Sequence, residues 1–496
     1  MTESIILLLC FFVVTAFIGI YCRKKDANVG DFVLGGRSVG PWLSAFAYGT
    51  SYFSAVVFVG YAGQFGWNFG VSATWIGLGN ALIGSLIPWL LLGKKTRIMT
   101  NHLHTATMPD FFKKRYDSKA LGIFASLLIF VFLIPYSASV YKGLSGIFAM
   151  SFNLDFKYCI MGMALITAIY VVVGGYMATA LNDFIQGIIM LIGIVLVVFY
   201  VLNGQGGFTE AVSRLSEIEL SGNTGELTSL FGPDGLTLLS VLILTSLGTW
   251  GLPQMVHKFY AIKDERSIKT GTVISTVFAL IVAGGSYFMG AFGRLYYTAP
   301  AQGPVYDDIV PSMLQSSLPN ILLGIVLVLV LSASMSTLSA LVLSSSSTVV
   351  LDLIAPYAKN KITTKKKVVL IRIFCAIFII ISVIIAIRPN TMITALMSTS
   401  WGALAGAFVG PFLYGLFSKR VTKVAVWSSM IVGVGITVAN MILNFESPIK
   451  VGGLSILLSF VIVPIVSLFT PKMDKKHVND VFACYENSKT LSDSKK

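Results

Sequence analysis

What most constrains this chain is a succession of apolar stretches, each near the roughly 20 residues that a helix needs to cross a bilayer. They fall near residues 4–22, 41–66, 71–93, 120–149, 157–176, 182–202, 235–256, 270–295, 319–355, 368–387, 390–417, 424–444 and 451–470. Soluble domains carry about 25% charged residues. Here only 12% of 496 residues are charged, 55% are hydrophobic and the mean hydropathy is +0.82. Separate water-soluble domains and a disordered or fibrous chain are both excluded. The expectation is an all-α, polytopic membrane protein with about 13 transmembrane helices.

The first stretch is expected to be a retained helix and not a cleavable leader. It is long, has Glu3 where a leader has basic residues, and runs into Arg23, Lys24 and Lys25. Net charge +14 raises the possibility of a nucleic-acid partner, but the placement of the charge argues otherwise. Twenty-nine of the 36 basic residues lie on one side of the expected membrane, including Lys258, Lys263, Arg266 and Lys269 of a single connection. The positive-inside rule makes that side cytoplasmic, with the N-terminus outside and the C-terminus inside. No basic, aromatic-studded soluble surface offers a nucleic-acid site. The opposite connections are acidic: Glu210, Glu217, Glu219, Glu226 and Asp234 in one, Asp307 and Asp308 in another. They read either as ordinary solvated loops or as a vestibule that concentrates cations. Five scattered cysteines (Cys10, Cys22, Cys159, Cys375, Cys484) form no C-x-x-C pair and read as packing residues. The polar tail 471–496 reads as a mobile cytoplasmic end.

Interruptions of the apolar pattern carry the functional signal. The 41–66 stretch is dense in hydroxyls around Gly49, with Thr50, Ser51, Tyr52, Phe53 and Ser54 in sequence. The 235–256 stretch contains Thr249, Trp250, Gly251, Leu252 and Pro253, and proline removes an amide donor and clashes with the preceding turn. Carbonyls freed in this way are tolerated at membrane depth only where protein or a water-filled cavity satisfies them. Counting 41–66 as core helix one makes 235–256 core helix six, so the breaks are equivalent in two five-helix units of opposite topology. Such paired breaks point to a transport site. The 319–355 stretch adds Ala333, Ser336 and Thr337. Two adjacent hydroxyls opposite freed carbonyls make an all-oxygen, uncharged cage suited to a hard monovalent cation such as Na⁺.

At these residues the chain resembles the sodium:solute symporter family, whose sodium/proline and sodium/pantothenate carriers share the leucine-transporter inverted-repeat fold. Gly35-Gly36-Arg37-Ser38, then Gly174-Gly175-Tyr176-Met177-Ala178 with Asn182, Asp183 and Gln186, and finally Ala333 to Thr337 carry the likeness. The resemblance implies one transporter domain. An extra helix spans 4–22, core helices one to five 41–202 and six to ten 235–417, with two further helices over 424–470 and the tail beyond. It implies a sodium site at Thr50, Phe53, Ala333, Ser336 and Thr337, and a solute site beside Ser54, Tyr136, Thr249, Trp250 and Pro253. Asp183 is implied at the start of core helix five, where capping that helix is the alternative role. Tyr52 stands where sodium/proline carriers place an acidic residue. The runs 52–55, 181–183 and 251–253 look more like the pantothenate branch, and Tyr136 favours the proline branch. Lys142, the one basic residue well inside a span, either pairs with a solute carboxylate or snorkels to the interface.

The function implied is Na⁺-driven import of a small organic solute, an amino acid such as proline or a carboxylate such as pantothenate, with no cofactor beyond the coupling ion. A solute sensor without net transport is the alternative, although the tail is too short for a signalling domain. An intramembrane enzyme would need acid/base or nucleophilic pairs at depth. Instead His102, His104, His257 and His477 all fall in or beside loops. No phosphate-binding glycine loop supports ATP-driven pumping.

Overall fold

A computed structural model describes residues 2–22, 29–220, 222–297, 303–358, 362–388 and 391–493. Arg23, Lys24 and Lys25 lie outside the described residues. No strand occurs among those described, and only two isolated bridges interrupt an all-helical chain. The main helices are α1 (Thr2–Cys22), α2 (Pro41–Tyr52), α3 (Ala62–Phe69), α4 (Thr74–Ala81), α5 (Lys119–Phe152), α6 (Phe156–Asn203), α7 (Gly235–Leu242) and α8 (Pro253–Ala261). They continue as α9 (Glu265–Gly290), α10 (Asn320–Thr348), α11 (Thr364–Ala386), α12 (Ile393–Phe417), α13 (Lys423–Leu443), α14 (Pro448–Phe469) and α15 (Lys475–Asp493).

Ten helical stretches among the described residues are long and apolar enough to span a membrane. The first expected span lies in α1 (Thr2–Cys22) and the fifth in the first part of α6 (Phe156–Asn203). The second breaks after Tyr52 and runs on with the third as Val56–His102. The fifth and sixth expected spans belong to one 48-residue helix, α6. At 1.5 Å per residue it would measure about 72 Å if straight, more than twice the hydrocarbon thickness. Asp183 therefore lies inside a helix and not at its N-terminus, which removes the capping role.

The centre is formed by α2, α5, α6, α9, α10 and α12, while α12, α13 and α14 pack as a group at one side. Close approach is set by small residues. A Cβ on Gly66 would lie 2.1 Å from the carbonyl of Gly290, and one on Gly290 would lie 2.1 Å from the carbonyl oxygen of Ala62. Only glycine at both positions lets these backbones touch.

The motif at 35–37 turns the chain through positive φ at Gly35 (57°), Gly36 (63°) and Arg37 (53°). This aims the Arg37 fork at the carbonyls of Thr100 (3.3 Å), Thr105 (2.6 Å) and Tyr260 (3.1 Å). Beside it, Val39 bridges to Ile262. The entry to α2 is thus sewn to the end of α8.

The tail is not the mobile end expected from its polarity. Residues 475–493 form α15, and Val478, Val481, Phe482 and Cys484 are buried. The Tyr485 hydroxyl donates to the carbonyls of Lys95 and Leu416. Arg115, fully buried, lies 4.9 Å from the Phe482 ring centroid and donates to the carbonyls of Gly415 and Ser418.

Candidate cation and solute site

α2 stops because Phe53 leaves helical geometry, at φ −107° and ψ 106°. Its amide makes the last helical bond, to Gly49, and the chain restarts from Ser54, whose carbonyl accepts from Val57 and Phe58. The Ser54 hydroxyl also accepts from the Val56 amide. The carbonyls of Thr50 and Ser51 are met instead by a side chain from α10: the Thr337 hydroxyl lies 3.1 Å from Thr50 O and 3.5 Å from Ser51 O. The same hydroxyl lies 3.1 Å from Ala333 O. The preceding residue, Ser336, donates to the Thr50 hydroxyl at 2.8 Å. Phe53, Ser54 and Ala333 line a cavity of about 10 Å³ with Val57, Met190 and Ser286. That is room for about one water, so an organic solute enters only if the helices part.

Of the expected sodium set, Thr50, Ala333, Ser336 and Thr337 are joined through carbonyl and hydroxyl oxygens, while Phe53 meets the group only in sharing the small cavity with Ala333. Among the described residues no group of three or more His, Cys, Asp or Glu forms a metal-binding cluster. A neutral oxygen cage fits a monovalent ion, since rotating the Thr337 and Ser336 hydroxyls turns lone pairs inward.

The expected solute residues divide. Ser54 and Tyr136 come together, and Tyr136 packs edge-on to Trp401 at 5.7 Å between ring centroids. Tyr52 stacks on the same indole at 6.1 Å and donates its hydroxyl to Thr245 O. Thr249 instead donates to Gly84 O and Ser246 O, and Trp250 donates to Ile83 O and faces Phe460. Pro253 lines a separate small cavity with Thr107, His257, Tyr260 and Ser344. Sequence reasoning missed Trp401. Its signal was a lone tryptophan beside Gly402, Ala403 and Ala405 in a span otherwise poor in large polar side chains.

Two charges differ from expectation. Lys258, counted among loop cations, is buried on α8 with its Nζ 3.6 Å from Asp183 Oδ2. His257, also taken as loop-associated, is half-buried beside it and packs against Tyr176 and Tyr260. Lys142 donates to the carbonyls of Arg388 and Thr391. A cavity of about 340 Å³ opens there, lined by Lys142, Gly146, Asp307, Asp308 and Ile393. Asp307 Oδ2 accepts from the Ile393 amide at the start of α12.

A bundle of apolar helices, two of them broken, with a neutral oxygen cage between one break and a facing helix, is the arrangement expected of a secondary transporter. Comparison with known proteins agrees. The sodium:solute symporter family model matches residues 32–433. The chain is 30% identical to an osmoregulated proline transporter of Bacillus subtilis, over 87% of each chain. It is 27% identical to a sodium/proline symporter of Salmonella typhimurium, over 84% of this chain and 83% of that one. Among solved structures, a Na⁺-coupled sialic acid symporter in a substrate-bound outward-open state superposes with a TM-score of 0.75. It has 17% identity and covers 95% of this chain and 99% of its own. A nucleobase-cation-symport-1 family transporter gives a TM-score of 0.56 at 15% identity, covering 91% and 97%. The chain belongs to the sodium:solute symporter family. It is a Na⁺-coupled solute symporter of the leucine-transporter fold and not an enzyme.

Proposed function

We propose that the transported solute is proline or a close cyclic or small neutral amino acid, imported with Na⁺ by alternating access. The observation that carries this reading is the aromatic cluster in which Tyr52 and Tyr136 both pack on Trp401, with Tyr136 beside Ser54, at the break of α2. Ring faces attract an ammonium group and pack against an apolar ring. The broken helix supplies carbonyls on one side of Ser54 and amides on the other, for the two ends of a zwitterion. That the relatives in Bacillus subtilis and Salmonella typhimurium carry proline supports proline over pantothenate.

Na⁺ sits between α2 and α10, held by oxygens of Thr50, Phe53, Ala333, Ser336 and Thr337. Its bonds to the oxygens take the place of the hydrogen bonds that join the helices, as the hydroxyls rotate to turn their lone pairs inward, and so order the break before solute binds. The basic connections lie on the cytoplasmic side, the N-terminus is outside, and the bilayer surrounds the apolar outer faces of the bundle. One charge crossing 100 mV gains about 2.3 kcal/mol. That supports roughly 50-fold accumulation before any sodium gradient is added.

The test is a thermal-shift series on purified protein with proline, other amino acids and pantothenate, each with and without Na⁺. Stabilisation by proline only in Na⁺ is the expected result. Stabilisation by pantothenate and not by any amino acid would overturn the solute assignment.

A further inference from the structure

α11 begins with a cationic turn. Lys365, Lys366 and Lys367 occupy the first turn and Arg372 opens the third, with no acidic residue from Thr364 to Ala386. Cations at a helix N-terminus oppose its dipole, so this placement does nothing for the stability of α11. No ion pair among the described residues includes any of the four.

Arg372 differs from the arginines that lie inside other spans. Arg97 donates to the carbonyls of Ile262 and Lys263, and Arg294 to that of Trp67. The Arg372 Nε, by contrast, is shielded from solvent and meets no protein acceptor. Its guanidinium carbon lies 5.7 Å from the ring centroid of Phe32, on the short helix Val29–Leu34 that packs against α11 ahead of α2. Lys365 and Arg372, seven residues apart, fall in one row along α11. Beside that row runs the outer stripe of the helix, where Val369 is 53%, Ile373 49% and Ile380 59% exposed. Arg372 therefore stands at a seam, with Phe32 on one side and the lipid-facing stripe on the other.

A cation at such a border is costly unless an anion meets it. The three lysines already supply the topological signal of this connection, so orientation does not require Arg372. An arginine fork matches a phosphate through two parallel hydrogen bonds, and a lysine adds a point charge. Their Cα atoms are about 10 Å apart, so two such long side chains can converge on one phosphate.

We propose that Arg372 and Lys365 bind the phosphate of an anionic phospholipid seated in the seam between α11 and the short helix before α2, its acyl chains along Val369, Ile373 and Ile380. The lipid ties the lead-in of α2, the helix that carries Thr50, to α11. The site is independent of which solute or ion is transported.

The experiment measures the melting temperature of the purified full-length protein in detergent against added phosphatidylglycerol, phosphatidylcholine or inorganic phosphate. Phosphatidylglycerol is expected to raise it saturably, whereas phosphatidylcholine and inorganic phosphate leave it unchanged. Arg372→Gln should raise the half-saturating amount of phosphatidylglycerol by roughly tenfold, and Lys365→Gln by roughly fivefold. Arg266→Gln removes an exposed charge from another basic connection and should match wild type. A wild-type response to phosphatidylcholine as large as that to phosphatidylglycerol overturns the proposal. So do equal midpoints for Arg372→Gln and Arg266→Gln, which would leave only diffuse surface charge. Stabilisation by inorganic phosphate alone would make this a site for a free anion and overturn the lipid assignment. Should Arg372→Gln not fold, Lys365→Gln decides, and a midpoint equal to that of Arg266→Gln overturns the proposal.

Discussion

Arg37 donates to the carbonyl oxygen of Thr105 at 2.6 Å, and its other terminal nitrogen reaches Tyr260 O at 3.1 Å. One guanidinium thus joins the lead-in to α2, the loop after the first two core helices and the end of α8. These elements must separate if the basic end of the bundle is to open. Charged hydrogen bonds contribute about 1.5–3 kcal/mol each. Lysine keeps the charge but not the fork. Arg37→Lys is expected to shift the balance toward opening by roughly tenfold, about 1.4 kcal/mol. The measurement is the rate of thiol labelling at Ser344→Cys, which lines the small cavity with Pro253, in a cysteine-free background.

Acidity should act at the opposite end. Burial pushes the Asp307 carboxyl up to about 7, and Asp308 adds to the rise, while the Ile393 amide and Lys142 oppose it. A carboxyl whose pKa is raised by burial binds its proton more tightly in the closed arrangement than when solvated. Closure is therefore favoured in full below the ordinary carboxylate range, and the advantage is lost as pH rises through about 7. Hydrogen exchange of Ile309–Ser317, corrected for intrinsic rates, should be faster at pH 8 than at pH 6. Asp307→Asn should make it the same at both.

Gly66→Ala forces a methyl group to within 2.1 Å of the Gly290 carbonyl. Overpacking of this kind costs about 1–3 kcal/mol, and more where backbone is struck. The expected result is a clear loss of thermal stability in detergent, with Gly290→Ala behaving alike. Gly435→Ala, where a Cβ meets nothing within 4 Å, is the control and should be neutral or slightly stabilising.

The two helix breaks and the facing hydroxyls were legible in the sequence because proline, glycine and clustered hydroxyls depart from the apolar pattern around them. Those departures suffice to locate Thr50, Ser54, Ser336 and Thr337. Lys258 was not legible: a lysine just past an apolar stretch looks like any loop cation, and only α6 packing against it reveals a carboxylate partner. Asp183 was misplaced for a related reason. The short stretch 177–181 between two expected spans reads as a connection, yet the helix continues through it. The docked tail carried a signal that its overall polarity hid. Val478, Val481, Phe482 and Tyr485 fall at i, i+3, i+4 and i+7, the spacing of one helical face. Trp401 joins the aromatic cluster through tertiary contacts from a helix more than 340 residues further along than Tyr52, and no local pattern encodes that distance.

The most direct measurement is the Na⁺ concentration that gives half-maximal initial proline uptake in proteoliposomes, for wild type, Thr337→Ser and Thr337→Ala. Thr337 supplies the hydroxyl 3.1 Å from both Thr50 O and Ala333 O, so its loss removes one oxygen from the cage. Thr337→Ala is expected to raise that concentration by roughly tenfold or more, for about 1.4 kcal/mol lost, while Thr337→Ser stays near wild type. A Thr337→Ala protein that inserts normally and keeps the wild-type Na⁺ dependence would contradict a sodium site between α2 and α10.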